Sequence, residues 1–576
     1  MILQALNSYY ENLTKLENCP VPKQGFKEEK VHVAIVLSKE GKLLQIKNLK
    51  IKQGAKYHAK LIIVPALTAP RTGLALLPGF LVDNPKYALG WSKEPSGRED
   101  DCFNAFKEFN LERTKYMMSD EVLAFRRFLK YWRSSEFHCL TEEDIKNLDK
   151  STVVFQLSGS RSFIHENFEC VHAWATYSNQ LLAGKSQICL VTGKSDFIPK
   201  THPPIKGCTN AQPTGAALVS FNIDAFCSYG KEQCQNAPIG AKAAFNYTTV
   251  LNYLLSYRSR QKLSIANSTI LFWGENKSAA DSIAYRIFQG LETEPSHTED
   301  ATTLKEGRRL LETIRLGGIP SQIEAPDMPF FLLEISPNSA RLSVRNWYCS
   351  TVAKFIQNFG KHFKELQIEK SQNKDPEFPS MWNLMRSTAT RIDMKNLFPL
   401  LPGAVLRSIL NDSNYPETWL ITIISKIRSD GIINYLRAAS IKACLIRNYS
   451  IQHQLGDLIS LNKKINNPAY LLGRLFSVLE KVQLDALGTV NSSIRDKFFS
   501  SASVTPALVF PTLLRNAMYH LSKISFGKSA DKLIQSILSD LESDGFPKQL
   551  PLLEQGKFVL GYYHQKNELF KKKEKK

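Results

Sequence analysis

The sequence lacks the motifs by which the commoner catalytic sites are recognised. It has no H-E-x-x-H pair, no G-x-S-x-G segment, no adjacent His-Asp pair and no dense group of acidic residues that would hold two magnesium ions. Two Gly-Lys-Ser triplets, at residues 184–186 and 193–195, lack the glycine that a Walker A motif needs five residues earlier, where Asn179 and Ile188 stand instead. We therefore expect no catalytic residues and no cofactor.

Membrane and metal signals are also sparse. No apolar run approaches the roughly 18 residues of a membrane span, and the N-terminus has neither a basic segment nor a small-residue cleavage site. The ten cysteines form no C-x-x-C pair, which favours reduced thiols in the cytoplasm. One stretch does contain several candidate zinc ligands, but they are not paired two to four residues apart, so we expect buried thiols and no metal site. These candidates are Cys189, His202, Cys208, Cys227 and Cys234.

Positive charge is abundant. The 576 residues include 74 Lys and Arg against 54 Asp and Glu, a formal net charge of +20. A field of this sign concentrates polyanions, so nucleic acid is the leading partner class, although a basic surface kept for solubility is the alternative. The length predicts two to four domains, and 43% hydrophobic residues exclude global disorder.

The pattern of elements predicts an α+β protein. It consists of a mixed α/β N-terminal region with short sheets and long loops (residues 1–370), followed by a C-terminal helical bundle (residues 381–576). Residues 291–307 have linker composition and mark a possible boundary within the first region. Helices are predicted at residues 103–116 and 120–133, from Pro468 after an N-cap at Asn467, and from Pro506. Strands or hairpin arms are predicted at residues 31–37, 42–46, 61–66, 152–157, 188–192, 216–221, 268–273, 330–335 and 341–344.

Two segments of the N-terminal region combine cations with ordered structure. The loop at residues 69–93 is rich in Pro and Gly and carries polar side chains among apolar anchors; it is either a nucleic-acid contact or a structural Ω-loop. The helix at residues 120–133 has an apolar stripe (Val122, Phe125, Leu129 and Trp132), with basic residues largely off it. That basic face either neutralises phosphates or is simply solvated.

Residues 189–257 contain too many prolines and glycines for regular structure and too many aromatic residues for a disordered linker. Rings interleaved with polar tips and nearby cations are typical of sites for single-stranded nucleic acid. For Phe221, Phe226 and Phe245 we favour a place in the core. The polar candidates are Asn222, Ser228, Tyr229 and Asn246, followed by the cations Arg258 and Arg260.

The same stretch contains the spaced motif SFN–AF–SYG–NAP–AF–Y–T–LN–LL, from Ser220 to Leu255. With GLALLPGFLVDNPKYALG near the N-terminus, the hairpin EISPNSARLSVRNW (334–347) and YLLGRLFSVLEKVQ (470–483), it resembles the large subunit of the type I-C CRISPR surveillance complex, Cascade. The resemblance extends over nearly the whole chain. It implies a non-catalytic subunit of an RNA-guided DNA-targeting assembly.

The resemblance also implies roles and partners. The large subunit is expected to read the PAM, a short flanking duplex, to start opening of the target, to stabilise the separated strands and to recruit a helicase-nuclease. The partners are CRISPR RNA (crRNA), target double-stranded DNA, the Cascade backbone and crRNA-processing subunits, and a small subunit made from the same gene, which the helices from about residue 450 resemble. The resemblance implies no membrane partner.

On this basis we assign residues to contacts. The 69–93 loop is expected to read the PAM duplex, and two other sets of cations are expected to bind phosphates. The alternatives are an RNA-binding scaffold outside CRISPR systems and a nuclease with an unrecognised site. The PAM and DNA candidates are Arg71, Thr72, Asn84, Lys86 and Lys93, and the phosphate candidates are Arg126, Arg127, Lys130, Arg258 and Arg260.

Overall fold

Backbone contacts divide the chain into two units. In this computed structural model, unit 1 comprises Met1–Ile205 and Ala217–Tyr253, and unit 2 comprises Lys206–Ala216 and Leu254–Lys576. The structure describes residues 1–53, 56–67, 71, 75–133, 141–181, 186–265, 267–276, 278–290, 301–389, 397–451, 456, 458–488, 492–525, 527–541 and 545–571.

Unit 1 is built on a three-stranded sheet. Its central strand pairs antiparallel with one neighbour and parallel with the other, in the order β3-β2-β7. The central strand, VAIVL, is almost wholly buried, as expected for a strand covered on both faces. The predicted hairpin over residues 31–46 is confirmed. The strands of unit 1 are β1 (Phe26–Val31), β2 (Val33–Leu37), β3 (Leu43–Asn48), β4 (Ile51–Gln53), β5 (Lys56–His58), β6 (Lys60–Pro65), β7 (Val153–Leu157), β8 (Ser186–Ile188) and β9 (Ser195–Phe197).

Helices cover the sheet of unit 1. The predicted apolar stripe of the helix after residue 120 is buried, and its Phe125 and Phe128 rings lie 4.8 and 5.5 Å from the ring of Phe155 in β7. The helix is thereby fixed on the sheet. The helices that begin in unit 1 are α1 (Ile2–Leu13), α2 (Pro85–Ala88), α3 (Glu99–Arg113), α4 (Asp120–Tyr131), α5 (Glu142–Leu148), α6 (Phe168–Gln180) and α7 (Ala241–Leu255).

The central stretch is more irregular than predicted. The strand expected at residues 188–192 is instead the short β8, which ends at Ile188 and pairs with β9. The strand expected at residues 216–221 is wrong, because only isolated bridge residues occur there. Prolines and glycines on either side interrupt the ladder, since proline lacks an N–H and glycine packs no side chain.

Unit 2 contains an antiparallel four-stranded sheet in the order β10-β11-β12-β13. The predicted hairpin at residues 330–344 is confirmed and is longer than expected, with a register shift after Glu334. Phe272, Phe330 and Leu332 pack from this sheet into the helical core. The strands are β10 (Lys262–Ile265), β11 (Ser268–Gly274), β12 (Pro329–Asn338) and β13 (Arg341–Thr351).

The helices of unit 2 share one hydrophobic core with its sheet. Asn467 caps α15 as predicted, because its side chain accepts a hydrogen bond from the Tyr470 amide. Two glycines allow α15 and α19 to approach closely: a Cβ at Gly473 would lie 2.0 Å from the Phe558 carbonyl, and one at Gly561 would lie 2.1 Å from that of Tyr470. The helices are α8 (Ala279–Gln289), α9 (Ala301–Arg315), α10 (Val352–Leu366), α11 (Met381–Thr388), α12 (Leu401–Leu410), α13 (Glu417–Asp430), α14 (Tyr435–Tyr449), α15 (Pro468–Leu487), α16 (Ile494–Ala502), α17 (Pro506–Leu521), α18 (Gly527–Ser539) and α19 (Leu552–Phe570).

The architecture is α+β, as predicted. Residues 301–307 form the start of α9 rather than a linker, and residues 291–300 lie outside the described residues. The expected boundary at residues 370–381 falls inside unit 2, where Ile368 and Phe378 are buried in the common core. A functional division at that point stays a prediction. No helix in the described ranges is long and apolar enough to cross a membrane.

Candidate nucleic-acid interface

A buried carboxylate organises the loop between β6 and α3. Asp83 is 5% exposed, and its Oδ2 accepts hydrogen bonds from Arg71 Nη2 at 2.5 Å and from the Gly79 amide at 2.7 Å. The Arg71 guanidinium also lies 4.0 Å from the centre of the Tyr87 ring. Burial raises the pKa of Asp83, and the ion pair with Arg71 opposes this shift. Arg71 therefore holds the loop in shape from within.

A second buried polar side chain holds the same loop. Asn110, on α3, donates to the Gly79 carbonyl at 3.0 Å and accepts from the Leu81 amide at 2.8 Å. The Phe80 ring stacks on Trp174 at 5.1 Å, and the Asp83 backbone bridges to Val153. Since buried backbone groups need such partners, these contacts fix residues 77–84 as an ordered loop on the sheet.

The other candidates in this loop also have intramolecular partners. Asn84 caps α2 by accepting from the Tyr87 amide, and Lys93 lies 3.4 Å from Asp149. Lys86 donates to Ser96 at 2.5 Å and lies 3.8 Å from Glu99. Thr72 lies outside the described residues. The described part of the loop is thus ordered by its own contacts, as in the Ω-loop alternative. Its contacts with DNA stay a prediction.

The Glu99 carboxylate next to Lys86 stays ionised over a wide pH range. Desolvation alone would raise its pKa, but hydrogen bonds from the Ser96 amide and from the Ser92 and Ser96 hydroxyls lower the pKa to about 2. Lys86 therefore faces a carboxylate that is ionised at neutral pH. This makes Lys86 a weaker candidate for phosphate than an unpaired lysine.

The outer face of α4 is the best-formed basic surface among the predicted sites. Arg127 and Lys130 are exposed and lie three residues apart, hence on one side of the helix. Arg127 donates to the Lys39 carbonyl at 2.6 Å, which joins the helix to the turn between β2 and β3. Arg126 is only half-exposed, and its Nε is buried without a hydrogen-bond acceptor in the described part of the chain. Arg127 and Lys130 thus fit the predicted phosphate role better than Arg126.

The β2–β3 turn extends this surface, which the sequence did not indicate. Lys39 and Lys42 are both exposed, and Arg127 and Lys42 lower the pKa of Glu40 beside them after the larger effect of its hydrogen bond with Ser38. We call Lys39, Lys42, Arg127 and Lys130 the α4 basic surface. The side chain of Tyr131 is exposed at the end of the same helix. A positively charged face with an exposed ring suits a nucleic-acid strand.

Gly41 is the residue that brings turn and helix together. It adopts φ +85°, and a Cβ there would lie 2.5 Å from the backbone nitrogen of Phe128 and 2.6 Å from the Cβ of Arg127. Only glycine tolerates both the left-handed backbone and this close approach. The glycine in the predicted turn was the one sequence signal for this contact.

The central stretch presents an exposed ring. Tyr229 is 97% exposed and adopts φ +53°, a conformation that non-glycine residues rarely occupy. Asn236 closes the surrounding loop, because its side chain accepts from the Ser228 amide at 2.9 Å and donates to the Lys231 carbonyl at 3.0 Å. Ser228 and Asn222 are exposed on this loop. The loop is therefore ordered around a ring that faces solvent.

Two predictions in this stretch are corrected. Asn246 is not a loop residue: it lies within α7, is 1% exposed, and donates to Asn7 Oδ1 at 2.9 Å. Its amide belongs to the core because a buried polar group needs such a partner. Phe226, expected in the core, is instead exposed on the loop, whereas Phe221 and Phe245 are half-buried.

Arg258 and Arg260 belong to unit 2, just after α7. Both are exposed; the Arg258 Nε donates to the Tyr257 hydroxyl at 2.9 Å, and the Arg260 guanidinium lies 5.9 Å from the centre of the Tyr285 ring. Cation–π contacts at exposed sites are worth only about 0.5–1 kcal/mol, so these contacts leave both guanidinium groups able to bind a phosphate. Their phosphate role stays a prediction.

Metal-binding geometry is not found in the part of the chain that the structure describes: no three His, Cys, Asp or Glu side chains gather there. His202, one of the zinc candidates, shares a 2.6 Å hydrogen bond with the Tyr247 hydroxyl, and burial lowers its pKa to about 4. Cys208 lies 3.7 Å from the Thr269 hydroxyl. These side chains have structural partners of their own.

Comparison with known proteins identifies the family. No curated protein matches the chain. The model of the family described as "CRISPR-associated protein (Cas_Csd1)" matches residues 6–570, almost the full length. The match confirms the resemblance to a CRISPR-associated Cascade component; the type I-C large subunit remains the finer prediction. The chain therefore belongs to the Cas_Csd1 family of CRISPR-associated proteins.

Proposed function

We propose that this chain is the non-catalytic large subunit of a type I-C Cascade complex. In this role it binds guide RNA and target DNA, discriminates the PAM duplex, stabilises the opened strands and recruits the helicase-nuclease. The family match supports the CRISPR context and weighs against an RNA-binding scaffold outside it. The α4 basic surface carries the nucleic-acid part of the proposal, since it places four cations on rigid elements.

The α4 basic surface is proposed to contact phosphates. Its helix is held by buried rings and its turn by Gly41, so the charges are positioned before a partner arrives. Preorganised cations lose less conformational freedom on binding than those of a mobile tail. One acidic residue of the turn, Glu40, and Asp120, which lies 3.5 Å from Lys39, reduce but do not cancel the positive charge.

The loop around Asp83 is proposed to present its outer surface to the PAM duplex, with Arg71 as a positioning residue. The Arg71 guanidinium is bound to Asp83 and packs on the Tyr87 ring, so Arg71 affects DNA binding through the shape of the loop. Tyr229 is proposed to stack on an unpaired base, because its ring is exposed and its loop is ordered.

The helices from α15 onward are proposed to correspond to the small subunit. Two glycines let α15 and α19 pack closely, which joins the first and last helices of this segment, and its core is continuous with that of the rest of unit 2. The sequence has no methionine between Met394 and Met518, so a separate product beginning near residue 450 would start at a non-AUG codon.

The decisive test of the basic surface uses the assembled complex. In an R127A/K130A variant, the slope of log K against log salt for target DNA should become shallower by about two units, one for each lost phosphate contact. An R127K/K130R variant conserves both charges and should keep the wild-type slope. Equal slopes in all three complexes would exclude this surface from phosphate binding.

The nuclease alternative has its own test. We expect the purified chain to leave single- and double-stranded DNA intact in the presence of Mg²⁺ or Mn²⁺. Metal-dependent cleavage that is lost on changing one carboxylate of this chain would overturn the non-catalytic assignment.

A further inference from the structure

The β12–β13 hairpin, one of the motifs singled out in the sequence, lines a small polar cavity in unit 2. The cavity has a volume of about 260 Å³ and lies between residues of β11, β12 and β13 and the N-terminal part of α12. This is just below the range of roughly 300–1,000 Å³ that is typical of small-molecule sites. It is lined by Ser268, Glu334, Arg345, Pro399, Leu400, Gly403 and Arg407.

Glu334 is the unusual member of this lining. It is 3% exposed, and among the described residues its Oε2 has no hydrogen-bond donor; Arg407 Nη1 lies 3.8 Å from this oxygen. A buried carboxylate oxygen without a donor is costly, so a structural role would be expected to supply one. Gly403 leaves this carboxylate room, since a Cβ there would lie 2.6 Å from Oε1.

Two guanidinium groups line the same cavity. The Arg345 Nε donates to Ser336 Oγ at 2.7 Å, which fixes the side chain at the cavity, and the Arg407 side chain is 42% exposed. Two positive charges against one negative charge disfavour a cationic ligand such as a lysine or arginine side chain. The buried Glu334 equally disfavours a bare phosphate.

The matching ligand is neutral and carries hydrogen-bond donors beside acceptors. Guanine has this pattern: N1–H and the N2 amino group suit a carboxylate, while O6 and N7 are the acceptors that arginine commonly binds. Adenine offers no adjacent pair of donors on its Watson–Crick edge. Pro399 and Leu400 supply apolar surface for the face of a base.

We propose that this cavity binds a single unpaired guanine, with Glu334 as the acceptor on the Watson–Crick edge and Arg345 and Arg407 as donors. Proteins read unpaired bases in this way, by hydrogen bonds to the exposed edge of a base in a pocket. The site lies in unit 2 and requires neither PAM reading nor the α4 basic surface. It adds base selectivity to a chain whose other candidate contacts address phosphates and exposed rings.

The test measures binding of the full chain to labelled single strands by fluorescence anisotropy. The strands are oligouridine or oligothymidine with one central guanine, hypoxanthine or adenine. Guanine should bind about 10- to 100-fold more tightly than adenine. Hypoxanthine keeps N1–H and O6 but lacks the N2 amino group, and should lose about tenfold relative to guanine. The ribose and deoxyribose series show whether the guanine comes from RNA or DNA.

Variants test whether the cavity around Glu334 causes the preference for guanine. Glu334→Gln should reduce the guanine-to-adenine ratio to about threefold or less, because the amide replaces an acceptor oxygen by a donor. Glu324→Gln, an exposed change in the same unit, should keep the ratio. Gly403→Ala, on α12, should also abolish the preference by displacing the carboxylate, and alanine favours the helix.

The comparison of guanine, hypoxanthine and adenine strands uses the unaltered chain, so it gives a result even where a variant fails to fold. Equal affinity for guanine, hypoxanthine and adenine strands would overturn the proposal. A guanine preference that survives both Glu334→Gln and Gly403→Ala would place the reader elsewhere and overturn it as well. Because the assay uses no PAM and no other subunit, these outcomes are independent of the function proposed above.

Discussion

Replacing Arg71 with alanine leaves the Asp83 carboxylate buried without its cation. In the native loop, Asp83 Oδ2 is bonded to Arg71 Nη2 and to the Gly79 amide, and Asp83 Oδ1 accepts from the Asn84 amide. After the substitution only the two backbone donors remain. We therefore expect Arg71→Ala to loosen the whole 77–84 loop rather than to remove one surface contact.

The size of the effect follows from burial. Removing one partner of a buried ion pair typically costs about 3–5 kcal/mol. The Arg71 side chain is 26% exposed, however, and Asp83 keeps its backbone donors, so we expect about 2 kcal/mol of local stability to be lost. This corresponds to roughly 30-fold weaker protection against local opening.

The assay is hydrogen exchange of the peptide that contains Gly79 and Leu81, whose amides are bonded to Asp83 and Asn110. Exchange reports local opening, which suits a chain of two units better than global unfolding does.

Burial raises the folded-state pKa of Asp83, so the folded state binds its proton more tightly than the unfolded state. Stability from this group is therefore present at low pH and lost as pH rises through that pKa. The defect of Arg71→Ala should accordingly be smaller near pH 4.5 than near pH 7.5, after correction for intrinsic exchange.

A double-mutant cycle measures the coupling between Arg71 and Asp83. Arg71→Ala should cost at least about 1 kcal/mol less in an Asp83→Asn background, where no buried charge is left unpaired. If the two substitutions are additive, or if exchange of the 77–84 peptide does not change, Arg71 does not hold this loop. Its guanidinium would then be available for DNA, as the sequence first suggested.

Three further predictions concern other parts of unit 1. Gly41→Ala should destabilise the chain by about 1–3 kcal/mol more than Gly159→Ala in thermal unfolding, because both glycines have φ +85° but only Gly41 has backbone within 2.5 Å of the new Cβ; equal effects would contradict the close contact between turn and α4. Lys130→Ala alone should reduce the salt slope of DNA binding by about one unit in the assembled complex, and an unchanged slope would exclude that residue. Burial lowers the pKa of His165 to about 4, so the contribution of this group to stability is present above pH 6.5 and lost as pH falls toward 4. In denaturant unfolding, His165→Leu should remove up to about 3 kcal/mol of the stability loss between these pH values. His172→Leu, on the exposed face of α6, should keep the wild-type loss.

Elements with strong periodicity were predictable from the sequence. The α4 stripe, the β2–β3 hairpin, the β12–β13 hairpin and the cap at Asn467 all follow from local patterns that tertiary packing reinforces. The loop-rich stretch after β8 was less predictable. A short apolar run flanked by glycine and proline at residues 216–221 has strand propensity, but proline and glycine deny it a continuous partner strand.

The candidate site was also only partly predictable from the sequence. The sequence located the loop and the basic helix but not what each cation touches. Arg71 looked like a surface arginine because its partner, Asp83, lies 12 residues away within an otherwise apolar run. The contribution of Lys39 and Lys42 depends on a backbone approach at Gly41 that only the three-dimensional structure reveals. The sequence does not distinguish Glu334 from other polar strand residues. Only the structure shows that its Oε2 is buried with no donor among the described residues.

PAM discrimination by the assembled complex shows whether this chain is the subunit that reads the PAM. The measurement compares binding to duplex targets that differ only in the flanking PAM, by complexes assembled with and without this chain. We expect discrimination to be present with the chain and to vanish without it, while binding to a pre-opened target is less affected. Undiminished PAM discrimination in complexes that lack the chain would contradict its assignment as the large subunit that reads the PAM.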